Sequence, residues 1–151
     1  MERRKIFHTL NVTRNRNMIE SAEEFLQLMR SKDSADYERF RNDEAPMHVW
    51  ETLMREYPLA NEWIARNRKS PIEVLRKLAK DERALVRSEV ASVRRIPEDI
   101  QLLLAEDKEY VVRHSLVYNA KATKTTLEVL SRDTEQAISD KAKERLSNFG
   151  N

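Results

Sequence analysis

The chain has 151 residues, 40% hydrophobic and 36% charged, enough apolar material for one globular core under a heavily charged surface. It has no cysteine, which excludes disulfides, thiolate metal sites and cysteine nucleophiles. Its one glycine, Gly150, excludes glycine-rich phosphate loops and disfavours tight hairpins.

Charge is uneven. Within residues 1–17, Arg3, Arg4, Lys5, Arg14 and Arg16 stand against Glu2, which is +4; the net charge is +2, so the rest of the chain sums to −2. A strongly basic body, the usual footprint of a nucleic-acid binder, is absent. No apolar run approaches the length of a membrane-spanning helix, and no signal-like apolar stretch follows the basic start. The expectation is a cytoplasmic protein without a membrane partner.

Residues 1–17 alternate weakly (Ile6, His8, Leu10, Val12) and read as an irregular basic arm, flexible or ordered only on contact. From residue 18 the pattern is helical. Ser21 and Glu24 form a capping box ahead of Phe25, Leu26, Leu28 and Met29. A short helix over about 34–42 carries Tyr37 and Phe40. Pro46 opens the next, whose inner face is Val49, Trp50, Leu53, Met54 and Tyr57. Pro58 breaks it and starts another, with Leu59, Ala60, Trp63 and Ile64 expected inward.

Ser70-Pro71-Ile72-Glu73 reads as a serine cap, a first-position proline and a third-position glutamate. That helix is expected to bury Ile72, Leu75, Leu78 and Ala79. Asp81 is expected to cap the following one, with Leu85, Val86, Val90 and Val93 inward. The pair recurs from Pro97 (Ile100, Leu103, Leu104, Val112, Leu116) and from Thr123 (Leu127, Leu130, Ile138, Ala142, Leu146). Asn67 and Asn119 fall near helix ends, where asparagine tolerates the left-handed conformation.

The recurrence has a period of 26. Leu78, Leu104 and Leu130 keep it, as do Asp81, Asp107 and Asp133; Val86, Val112 and Ile138; and Val90, Leu116 and Ala142. Ala60 and Ile64 extend it backward. Fixed self-similarity of this length marks stacked repeats, in which one unit cannot bury its own apolar faces. The expected fold is all-α: a single domain over 18–151, with an N-terminal cap (18–45) and units at about 46–69, 70–95, 96–121 and 122–148.

The stretch from Asn67 through Pro71, Leu75, Leu78 and Asp81 to Val86-Arg87 and Val90-Ala91 resembles the leucine-rich repeat variant family, short relatives in shape of HEAT repeats. The third unit keeps Pro97, Leu104-Ala105, Asp107 and Val112-Arg113; the fourth keeps Leu127, Leu130 and Asp133 but has Ile138-Ser139 where the pattern has Val-Arg. The resemblance implies a right-handed α-solenoid with a gently curved surface, and a protein-binding scaffold. The iron–sulfur cysteines of some members have no counterpart here.

Arg87 and Arg113 hold equivalent positions, with Asn61 and Ser139 in register. One reading is structural, a bond to the aspartate or carbonyls of a neighbouring unit. The other is an arginine row gripping a partner's carboxylate or phosphate. Arg66, Arg68, Lys69, Arg94, Arg95, Lys121 and Lys124 fall at the turns after the second helices and would lie along one edge, either as a solvated rim or as a basic stripe. Trp50 and Trp63 read as core. Tyr118 aligns with Ser92 and Arg66, positions that read as exposed, and is a candidate contact residue; His114 beside Arg113 reads as surface. No histidine pair has zinc-ligand spacing, no nucleophile motif is present, and the carboxylates alternate with basic residues as on a solvated face.

The expected function is a non-catalytic scaffold, adaptor or neutralising partner for another protein, without cofactor or metal, using the curved inner face of the repeat stack, with Arg66, Arg87, Arg94, Arg95, Arg113, His114 and Tyr118 as candidate contacts. The alternative is nucleic-acid binding through the basic edge and arm. A third reading, an enzyme, needs a pocket between the N-terminal helices and the first unit.

Overall fold

The computed structural model describes residues 17–149. The arm lies outside the described residues, apart from Asn17. Among the described residues there are ten α-helices and no strand. They are α1 (Ala22–Arg30), α2 (Ser34–Asn42), α3 (Met47–Glu56), α4 (Asn61–Arg66), α5 (Ile72–Leu78), α6 (Ala84–Ser92), α7 (Glu98–Ala105), α8 (Tyr110–Val117), α9 (Lys124–Leu130) and α10 (Gln136–Ser147), with a 3-10 turn (Pro58–Ala60) leading into α4. None of them is long and apolar enough to cross a membrane.

The caps follow local chemistry. Ser21 accepts the Glu24 N–H at 3.1 Å, Asp33 accepts from Ala35 and Asp36, and Thr123 accepts from Thr126. Two expected caps are corrected. Ser70 does not cap α5, because its hydroxyl donates to the Ile64 carbonyl; Pro71 stands at the cap without a side-chain bond. Asp81 does not cap α6, whose cap residue is Arg83; its carboxylate accepts the Arg83 N–H at 2.9 Å and so shapes the preceding turn. Asp107 and Asp133 do the same for Glu109 and Glu135, each at 2.9 Å.

The second helices pack on one another in order: α4 on α6, α6 on α8, α8 on α10. The buried apolar residues form one continuous cluster from Ile19 to Ala142. The 26-residue register explains this, since Val86, Val112 and Ile138, and likewise Val90, Leu116 and Ala142, are all fully buried. At the N-terminal end, Phe25 meets Phe40 and Trp50 edge to face at 5.3 and 5.7 Å, and the Trp50 N–H donates to the Ala45 carbonyl. Trp63 is only partly buried, against Phe40.

Three leucines expected inside are exposed: Leu59, Leu85 and Leu103. Each adjoins a buried residue (Ala60, Val86, Leu104), and successive helical positions point about 100° apart, so only one of each pair faces the core.

Buried polar residues tie the units together. Asn67 donates to the Phe40 and Asp43 carbonyls and accepts the Lys69 N–H. Asn119 donates to the Ala91 and Val93 carbonyls and accepts the Lys121 N–H. Asn67 is extended, at φ −70° and ψ 126°, so it serves as a side-chain clamp and not as a left-handed helix end. One period after Asn119, Arg145 does the same work by donating to the Val117 and Asn119 carbonyls, both at 2.7 Å. Gln101 occupies a position held by Leu75 and Leu127 in neighbouring units; it donates to the Ile96 and Lys121 carbonyls and accepts the Thr123 N–H.

Candidate functional site

Arg87 and Arg113 sit in a ladder between units. The Arg87 guanidinium grips Asp107 with two bonds, of 2.6 and 3.0 Å, and donates to the Asp81 and Glu82 carbonyls. Arg113 grips Asp133 at 2.7 and 3.2 Å and donates to the Asp107 carbonyl. In the first unit Asn61 replaces the arginine and donates to Asp81 at 2.8 Å. In the last unit Ser139 bonds the Ser131 carbonyl. Each rung reaches 20 residues ahead to the next unit's aspartate. Both arginine forks are therefore filled from within the chain.

Burial pushes Asp81, Asp107 and Asp133 up, but hydrogen bonds outweigh it and hold all three below the ordinary carboxylate range. For Asp107 these come from Arg87 and the Glu109 N–H, for Asp133 from Arg113 and the Glu135 N–H, and for Asp81 from Asn61 and Arg83.

The second helices also carry an outward face. Along α8 and the residue that ends it, Tyr110, His114 and Tyr118 follow one another at a spacing of four, with ring centroids 5.3 and 4.8 Å apart. Lys141 of α10 stands 5.5 Å from the Tyr118 ring. At the start of the second helices, Leu59, Leu85 and Val111 share one register position; they are 80%, 54% and 45% exposed, and Tyr110 and Tyr118 are 44% and 57%. The first three stand at equivalent places in the sequence, in the turn leading into α4 and in the first turns of α6 and α8, and these helices pack in that order. Of the expected contact residues, this face contains His114 and Tyr118. Composition could not reveal these exposed apolar residues, because a leucine beside a buried valine reads as core; the 26-residue register does mark them, once one exposed member is known.

A second surface lies where α4 and α6 end. Arg41, Arg66, Arg68, Arg94 and Arg95 line a cavity of about 550 Å³, together with Glu89, Ser92 and Val93. Arg66 lies over the Trp63 ring at 4.5 Å and pairs with Glu89, whose hydrogen bond raises its pKa. Arg95 donates to the Ser70 carbonyl, and burial alone lowers its pKa from the ordinary value. Arg68 bonds the Asn42 side-chain oxygen at 3.2 Å, and Arg41 the Tyr37 hydroxyl at the same distance. Among the described residues no carboxylate pairs with Arg68, Arg94 or Arg95.

The turns thus bring together Arg66, Arg68, Arg94 and Arg95 from the expected basic edge. Lys69 and Lys124 stand apart from them, beside Glu44 and Glu128. Arg41, supplied by α2, was not expected; it lies outside the 26-residue register, and its carbonyl accepts the Arg68 N–H.

Among the described residues, no three histidines or carboxylates converge as metal ligands would. Comparison with protein-family models, with curated proteins and with solved structures finds no match.

Proposed function

We propose that the chain is a non-catalytic protein-binding scaffold, a short α-solenoid of HEAT-like helix pairs that takes a partner protein on the outward face of its second helices. The observation that carries this is the exposure of Leu59, Leu85 and Val111 together with the aromatic ladder of α8. Apolar side chains gathered on one face lose water on docking, and aromatics dominate the energetic centres of interfaces. The order of packing, α4 to α6 to α8 to α10, and the 20-residue rungs between units support the solenoid reading. In this reading Arg87 and Arg113 hold the units in register, while Tyr110, Val111, His114 and Tyr118 meet the partner.

The test is affinity capture from native lysate, with and without nuclease, using the native chain and the Val111→Ser/Tyr118→Ser variant. Both residues are exposed, so the melting temperature is expected to stay within a few degrees while a nuclease-resistant, stoichiometric protein is lost from the eluate. Full capture by the folded variant removes this face from the proposal; capture that collapses with nuclease rejects the protein-scaffold reading.

A further inference from the structure

We propose that the arginine-lined cavity at the ends of α4 and α6 binds a phosphate monoester group, with Arg68, Arg94 and Arg95 as its principal donors. The site is independent of the aromatic face and stands whatever partner that face takes.

Five guanidinium groups and one carboxylate, Glu89, line the cavity, so its lining carries +4. Arg66 is committed to Glu89, and Arg95 spends one nitrogen on the Ser70 carbonyl. Arg94 has no internal partner among the described residues, and Arg68 has only a neutral one. Like charges held this close repel, and the cavity is stabilised by whatever anion enters it. A single carboxylate offsets one charge. A phosphate monoester brings roughly −1.5 to −2 at neutral pH and three acceptor oxygens, and planar guanidinium forks match that geometry. A volume of about 550 Å³ admits the group with part of its carrier, and Ala65 and Val93 supply apolar wall for the carrier.

A nucleic-acid strand fits less well. A polyanion needs a cation at each successive phosphate. Arg68 passes to Arg94 one unit on, and beyond that second turn the charge thins. Arg94 is followed at the same register by Ala120 and Leu146, Arg95 by Lys121 and Ser147, and the position of Arg66 by Ser92, Tyr118 and Glu144. The positive charge is densest at these two turns and continues beyond them only as Lys121 at that register.

The experiment is calorimetric titration of the full chain, with amide NMR mapping. The probes are inorganic phosphate, a phosphoserine peptide, ribose 5-phosphate and a single-stranded oligonucleotide, each against sodium chloride of equal ionic strength. Saturable binding of a phosphate monoester is expected, with shifts confined to residues around Arg41, Arg68 and Arg94. Tighter binding of the peptide than of the sugar phosphate assigns the group to a phosphorylated side chain, and the reverse order to a free metabolite. In Arg68→Gln/Arg94→Gln, which breaks no ion pair, affinity is expected to fall roughly tenfold or more; Lys124→Gln, outside the cavity, serves as the unchanged control. If the double variant melts early, shift mapping on the native chain decides. The proposal is overturned by responses no larger than those to chloride, by shifts away from the cavity, by binding of the oligonucleotide alone, or by undiminished affinity in a folded double variant.

Discussion

Arg87→Met tests the rung between the second and third units. Methionine keeps most of the aliphatic stem, so the change removes the guanidinium and little packing. Both partners are largely buried, with the Arg87 and Asp107 side chains each 9% exposed. Removing one member of a buried ion pair strands the other, at a cost of about 3–5 kcal/mol. Asp107 keeps the Glu109 N–H, and Arg113 lies near enough to lower its pKa, so the low end, about 3 kcal/mol, is expected. For a chain of this size that is a fall of roughly 6–12 °C in melting temperature. Denaturant unfolding at neutral pH measures it directly.

The same variant carries a pH signature. In the native protein the folded Asp107 pKa is depressed, so its stabilisation is present above the unfolded value and disappears as pH falls through the folded one. Without Arg87 the carboxyl loses its strongest hydrogen bond against the push of burial, and its pKa moves up. The deficit of the variant is therefore largest near neutrality and shrinks in acid. Arg87→Met/Asp107→Asn, which leaves no stranded charge, is expected to recover a substantial part of the loss. A loss below about 1 kcal/mol, or one that is identical at neutral and acid pH, refutes the view of the rung as a desolvated pair.

Asn119→Ala removes a clamp from two buried carbonyls and one N–H and is expected to cost about 2–4 kcal/mol, read by chemical denaturation; a cost under 1 kcal/mol shows that the turn holds itself. Trp50→Ala opens a cavity between α1 and α3 and leaves the Ala45 carbonyl unpaired, so a loss of about 3–5 kcal/mol is expected, with Trp50→Phe milder. The native chain loses stability as pH drops below the ordinary carboxylate range, because Asp81, Asp107 and Asp133 all have depressed pKa values when folded; a flat melting temperature across that range contradicts the sign.

The helices are legible along the chain, because capping residues, prolines and 3.6-residue apolar spacing are local. The unit length is legible too, because Leu78, Leu104 and Leu130 repeat in step. The spacing of Arg87 to Asp107 was likewise written in the register, but not which aspartate each arginine takes. Asp81 and Asp107 are both within reach on paper, and stacking selects the one 20 residues ahead. Which of two adjacent apolar residues faces inward depends on packing, so Leu59 and Leu85 read as core until the packing of α4, α6 and α8 turned them outward. The arginine cavity has the same origin. Its residues come from α2 and from two successive turns; the register puts Arg68 and Arg94 on one edge, but nothing in linear order brings Arg41 to the same space. Local spacing fixes what each helix can bury; the packing of helix on helix fixes what the surface offers.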